Sequence, residues 1–120
     1  MKNAKFTITL TDRAPVTIVR AEWPVIASAT DRPGSILRGT PVPDYETDEF
    51  RLTVRQHADG RSIVYGVIDA STEWTGTEDW RGGELLADGG ELVAAITRVG
   101  DSMPACVRRD CIADLPAQEI

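Results

Sequence analysis

Phe6, Ile8 and Leu10 alternate with Thr7 and Thr9, the period of two that marks a strand with one buried face. Asp12-Arg13-Ala14-Pro15 breaks the pattern and Val16 to Val19 resumes it, so a β-hairpin is the simplest link. The period then changes. Trp23, Ile26, Ala27 and Thr30 fall at i, i+3, i+4 and i+7, which predicts a helix starting near Ala21 or Glu22 with Trp23 as a core anchor. Pro24 is compatible only with the first turn of that helix. Residues 31–47 contain Pro33, Gly34, Gly39, Pro41 and Pro43 and keep no period. Such a stretch reads as a functional or mobile loop, with disorder as the alternative.

The clearest local signal follows. Phe50, Leu52 and Val54 alternate with Arg51, Thr53 and Arg55, and Ser62 to Asp69 returns after Ala58-Asp59-Gly60-Arg61. Asp-Gly accepts the positive φ angles of a type I′ turn, and pairing Ala58 with Arg61 sets Val54 opposite Tyr65 and Leu52 opposite Val67. Val64 and Ile68 then lie on the other side, beside Arg51 and Arg55. The return strand is apolar on both faces, which predicts a central place in its sheet. Ala70 to Gly83 reads as a second loop, and Leu85 and Leu86 as a brief helical turn broken by Gly89-Gly90. Asp88 and Glu91 have capping-box spacing; Leu92, Ala95, Ile96 and Val99 form the apolar face of the helix it opens, and Gly100 stops it. A last helix is predicted from about Pro104 to Ala113, with Val107, Cys111 and Met103 inward, followed by a tail over 114–120. The order ββαββαα predicts a single α+β domain over 1–120. In it two β-hairpins form an antiparallel sheet, with about three helices packed on one face.

Composition narrows the class. A chain of 120 residues suits one domain and buries about 65% of its unfolded surface, enough to stand without a disulfide or metal. No apolar run approaches the ~20 residues of a membrane span, and the N-terminal alternation is unlike a signal-peptide core. With two cysteines a disulfide framework is excluded, so a reducing cytoplasm is the expected location. The net charge is -6 and unevenly spread. Residues 1–38 carry six basic and three acidic groups; Asp44, Glu46, Asp48 and Glu49 have no basic neighbour; and residues 69–91 hold seven acidic groups against Arg81 alone. Duplex binding gains affinity by neutralising phosphates, so this balance argues against nucleic acid. It suits a basic protein partner or mimicry of nucleic-acid charge, and equally a solvated acidic surface.

Candidate chemistry is sparse. His57 is the single histidine and flanks a turn, with no nucleophile and orienting carboxylate evident near it. Cys106 and Cys111 are five apart on a predicted helix, about 140° around it, which forbids a disulfide and lacks zinc-site spacing. Asp44, Glu46 and Asp48 alternate like a calcium loop but lack its glycine and terminal glutamate, so no metal is expected. Arg81-Gly82-Gly83-Glu84 lacks the spacing of a phosphate-binding loop, so no cofactor is expected either. Arg51, Arg55 and Arg61 make a basic stripe without the aromatic platform that single strands need. Trp74 and Trp80, with Glu73, Glu78 and Asp79 around them, are the most unusual feature. Tryptophan concentrates at interface hot spots, whereas the alternative is a lid folded back over the sheet.

Four segments carry a resemblance. Thr-Asp-Arg-Ala-Pro-Val at 11–16, Glu-Trp-Pro-Val-Ile-Ala at 22–27, Val-Arg-Gln-His-Ala-Asp-Gly-Arg at 54–61 with Val64-Tyr65-Gly66, and Cys-Ile-Ala-Asp-Leu-Pro-Ala at 111–117 set the pattern. It resembles a group of small uncharacterised proteobacterial proteins found in chromosomal, plasmid or phage regions. The resemblance implies a shared scaffold with variable loops at 31–49 and 70–83, and brings no activity, cofactor or catalytic residue. The leading expectation is a non-catalytic, acidic protein-interaction module, such as an accessory or inhibitor of a mobile element. Its binding residues are expected to be Trp74, Trp80, Glu73, Glu78, Asp79, Asp44, Glu46 and Asp48. The rival is a small-ligand-binding or enzymatic domain with a pocket between sheet and long loop.

Overall fold

β-Branched and aromatic side chains on alternate positions build a central sheet whose two faces are both apolar. The computed structural model describes residues 4–31, 36–37, 40–41, 49–69, 79–87 and 91–116. Its strands are β1 (Lys5–Ile8), β2 (Val16–Val19), β3 (Val25–Asp31), β4 (Ile36–Leu37), β5 (Thr40–Pro41), β6 (Glu49–Gln56), β7 (Ser62–Asp69) and β8 (Trp80–Leu86). A 3-10 turn spans Arg20–Glu22, and the helices are α1 (Leu92–Val99) and α2 (Ala105–Asp114). The strands β3-β6-β7-β8 form one antiparallel sheet, β1 and β2 a separate two-stranded ribbon, and β4 and β5 a short ladder.

Leu52, Val54, Val64 and Ile68 point to one face of the sheet and pack with Ala95, Ile96, Val99, Met103, Val107 and Cys111 of the helical layer. Ile63, Tyr65 and Leu85 point to the other face, where they meet Ile8, Leu10, Ile18 and Trp23. One sheet therefore separates two cores, and β7 is interior in it, as its double apolar face predicts. The α+β class and the packing of the helices on one face agree with the sequence. The ribbon is the difference: the first hairpin lies across the second face and does not join the sheet.

Three expectations are corrected. The helix predicted from Ala21 through Thr30 is a 3-10 turn followed by β3, which leaves two helices among the described residues. A register shift between Val25 and Ala27 marks a bulge, whose extra residue destroys simple alternation and leaves apolar spacing that imitates a helix face. Trp23 belongs to the ribbon-side core and Ala27 to the helix-side core, so residues assigned to one face end on opposite sides of the sheet.

The second correction is to the hairpin register, which is Val54 opposite Val64 and Leu52 opposite Gly66. His57 N–H donates to Arg61 O at 2.8 Å and Gly60 N–H to His57 O at 3.0 Å, closing a turn over residues 58–60 with Gly60 at φ +100°. That loop is one residue longer than the predicted one, and a slip of one moves every side chain of the return strand to the other face. Val64 and Ile68 thus join Leu52 and Val54, while Arg51 and Arg55 share the ribbon-side face with Ile63 and Tyr65.

Thirdly, residues 80–86 form β8, not the end of a loop and a helical turn. Gly66 and Gly82 pair across β7 and β8, and the indole of Trp80 lies over both. A Cβ at Gly82 would stand 2.5 Å from the ring, and one at Gly66 3.2 Å. An aromatic ring covering a cross-strand glycine pair replaces the packing that those positions lack.

The helices fall as predicted. Ala95, Ile96 and Val99 of α1 are buried, and Gly100 is its C-cap; Val107 and Cys111 of α2 are buried, as is Met103 before it. Asp88 lies outside the described residues. Arg98 bonds Glu84 of β8 through two contacts of 2.8 and 2.7 Å, and Asp114 accepts the Ser28 N–H at 3.0 Å. The second contact satisfies an outward N–H of edge strand β3, which blunts that edge against pairing with other chains. No described helix is long and apolar enough to cross a membrane.

Candidate functional site

The two-stranded ribbon is narrower than the four-stranded sheet beneath it, so grooves remain where the sheet is uncovered. One groove, of about 330 Å³, runs beside β2 over Trp23, Ile63 and Leu85, with Glu22, His57 and Arg61 at its rim. A second, of about 680 Å³, lies beyond the 3-10 turn and is lined by Ala21, Glu22, Pro24, Ile26, Gln56, His57, Ala58 and Gly60. Glu22 and His57 border both. They lie at one corner of the molecule, where the turn after β2 meets the tip of the β6–β7 hairpin.

His57 is a packed residue of that corner. Its ring centroid is 5.1 Å from that of Trp23, at 57°. Nδ1 stands 3.1 Å from both the Asp59 amide and the Asp59 carboxylate. These contacts exclude one another: Nδ1 accepts from the amide only when it carries no proton, and donates to the carboxylate only when it carries one. With the amide bond made, the proton sits on Nε2 and the ring offers no lone pair to a substrate. Asp59 also accepts from Arg61 N–H at 3.0 Å and from Arg61 Nε at 2.8 Å.

The Arg61 contacts hold the Asp59 carboxyl below its ordinary value of 3.8. A lowered native value means that the turn's contribution is complete above the ordinary value and fades as pH falls through the native one. Acid titration of stability should therefore show a loss below about pH 4 that is shallower in Asp59→Asn. Identical acid limbs in the two proteins would remove the carboxylate from the turn's stability.

The three arginines of the stripe take separate roles. Arg51 pairs with Asp69 at 2.9 Å and Glu49 at 3.4 Å, and Arg61 with Asp59. Arg55 is only 8% exposed and donates to Tyr65 Oη at 3.0 Å and Trp23 O at 2.8 Å. Its guanidinium lies 4.8 Å from the centroid of Phe6, and that of Arg20 lies 4.5 Å from the same ring. They do not form the open contiguous patch that a nucleic-acid face requires. Arg55 is a strut between β6 and the ribbon, a role that alternation alone does not reveal.

Of the eight residues expected to bind a partner, Asp79 and Trp80 are described. Asp79 is exposed before β8, and Trp80 is half-buried against the helix-side core. Asp44, Glu46, Asp48, Glu73, Trp74 and Glu78 lie outside the described residues. Among the described residues no three His, Cys, Asp or Glu side chains gather as a metal site would need. The thiol of Cys106 approaches Asp31 Oδ2 at 3.6 Å. Burial, with help from the Asp114 charge, pushes the Cys111 thiol up to about 11, so it remains protonated and unreactive near neutrality.

No protein-family model matches the chain, and no curated protein or solved structure matches it. The functional reading therefore rests on the grooves and their rims. The corner around Glu22 and His57 is the residue group that sequence reasoning missed. Its available signal was Glu22-Trp23-Pro24, an acidic and an aromatic residue directly before a turn-forming proline.

Proposed function

We propose that the chain is a non-catalytic protein-interaction module whose partner seats at the corner around Glu22 and His57. The observation that carries this reading is the uncovered strip of sheet beside β2, an apolar floor with a charged rim. Apolar centres with polar rims are the general anatomy of protein interfaces. The acidic segments at 44–49 and 73–80, with Trp74, favour a basic partner and speed its approach through long-range attraction. An accessory or inhibitor encoded by a mobile element is one setting for such a module. The engagement of His57 Nδ1 by Asp59 and the protonated Cys111 support the non-catalytic part, because neither group is poised as base or nucleophile.

The rival reading is a small-ligand domain, and the larger groove is within the size range of ligand pockets, roughly 300–1,000 Å³. Affinity capture followed by titration of the purified partner decides between them. The expected result is a complex that weakens with salt and weakens further in Glu22→Lys, each by about tenfold. A small metabolite that raises the melting temperature, with no protein retained at any salt concentration, would establish the rival instead.

A further inference from the structure

Arg20 N–H donates to Ala4 O at 2.8 Å, which makes Ala4 and Arg20 a hydrogen-bonded pair of the ribbon. Hydrogen-bonded and open pairs alternate along an antiparallel ladder. Phe6 with Ile18 and Ile8 with Val16 are then bonded pairs, and Lys5 with Val19 and Thr7 with Thr17 are open ones. In open pairs the backbone N–H and C=O groups point away from the partner strand. Thr17 thus turns its N–H and C=O, and Val19 its N–H, away from β1 toward the groove side of β2, and these three groups make no further backbone bond to another described residue; the outward Val19 C=O is the N-cap acceptor that opens the 3-10 turn. Unsatisfied strand edges are templates for a further strand. The edges of β8 and β3 are partly taken: Thr11 N–H donates to Gly83 O of β8 at 2.9 Å, Thr11 Oγ1 accepts the Gly83 N–H at 3.1 Å, and Asp114 occupies the Ser28 N–H of β3. β1 has the same open pairs, at Lys5 and Thr7, but the groove beside it is bordered by Arg51 and Arg81, cations that disfavour a basic segment.

We infer that β2 is a strand-addition site, and that its occupant is an extended segment of a basic protein partner. The inference rests on the interaction-module reading and specifies its binding mode. Such a segment lies along β2, pairs with the outward N–H and C=O of Thr17 and the outward N–H of Val19, and widens the ribbon to three strands. Its inward side chains, at every second position, rest on Trp23, Ile63 and Leu85 and are apolar. Glu22 stands at the rim of the groove, and no ion pair joins it to a described cation, so a lysine or arginine of the segment completes the charge there. Backbone pairing supplies affinity, while the alternating apolar residues and the basic end supply selectivity.

The test is selection of a random dodecapeptide library on the immobilised full chain, followed by titration of synthetic copies of the selected peptides. Enriched sequences are expected to alternate apolar and polar residues and to carry a basic residue at one end. Val19→Pro removes an outward N–H and leaves the pairing with β1 intact, since Val19 already has φ -87°. It should weaken the selected peptides about tenfold. Thr7→Pro makes the same change on the opposite edge of the ribbon and should leave them bound. Thr17→Pro repeats the block if Val19→Pro melts early. Peptides that bind wild type and both β2 proline variants equally would overturn strand addition and leave the interaction module standing. Failure to select any peptide, with no partner captured, would overturn both. A dimer in solution that Val19→Pro dissociates would make a second copy of the chain the occupant, and would equally overturn the partner segment.

Discussion

Replacing Trp80 with alanine is expected to lower stability by about 3 kcal/mol and the melting temperature by about 10 °C. The indole covers Gly66 and Gly82, which face each other across β7 and β8 and present no side chains of their own. It also packs against the helix-side core. Removing it uncovers three positions of the sheet at once, because the two glycines have nothing with which to fill the space. The cost is at the lower end of tryptophan truncations since Trp80 keeps part of its surface in water. Urea titration checks it. A change below about 1 kcal/mol would mean that the ring lies idle on the surface and is free for a partner. This expectation also separates Trp80 from Trp74: loss of binding in Trp80→Ala has to be compared with its loss of stability before it is attributed to contact.

Gly83→Ala is expected to cost about 2–3 kcal/mol, within the range of overpacked sites. A Cβ there would stand 2.6 Å from Val64 O and 2.9 Å from Tyr65 Cβ, closer than real Cβ atoms come. The obstruction is backbone, so relief requires β7 and β8 to part. Gly83 also holds the Thr11 clamp, so displacement of β8 loosens the ribbon and should raise amide exchange through β1 and β2. Gly60→Ala is the comparison. Space is open around Gly60, and its cost comes from φ +100° alone, about 1–2 kcal/mol. Equal costs at the two glycines, with unchanged exchange in the ribbon, would show that close approach at Gly83 does not matter.

What the sequence reveals depends on whether local chemistry decides the structure. α1 and α2 were legible because Leu92, Ala95, Ile96 and Val99 keep one face and because Gly100 ends the first helix. β1 and β6 were legible because apolar and polar residues alternate along them, and β2 and β7 because each is a short apolar, β-branched run returning from a turn. β3 was not: a single bulged residue converts the spacing from Trp23 to Thr30 into a helical one, and the cue against it was the β-branched pair Val25-Ile26 after a proline. The hairpin turn was read correctly as Asp-Gly, yet its loop length is set by which backbone groups pair, and composition does not carry that. β8 is written in the wrong alphabet for a strand, with two glycines in its middle; only the ring of Trp80 on its neighbours explains it. The corner around Glu22 and His57 exists because a turn and a hairpin tip distant in sequence meet, so no local pattern announces it.

The separation of the two cores has a consequence for synthesis. Ile8, Leu10, Ile18 and Trp23 leave the ribosome about 40 to 55 residues before Ile63, the nearest sheet residue of their core. At ~5–20 residues per second this interval is roughly 2–11 s. A lone two-stranded hairpin is marginal in water, so during that time the ribbon's apolar face has no floor to rest on. Thr7 and Thr17 on its opposite face, joined by a 3.0 Å hydroxyl contact, are polar while the chain waits. The nascent segment is thus most open to chaperones, or to premature association, before the hairpin at 50–69 emerges.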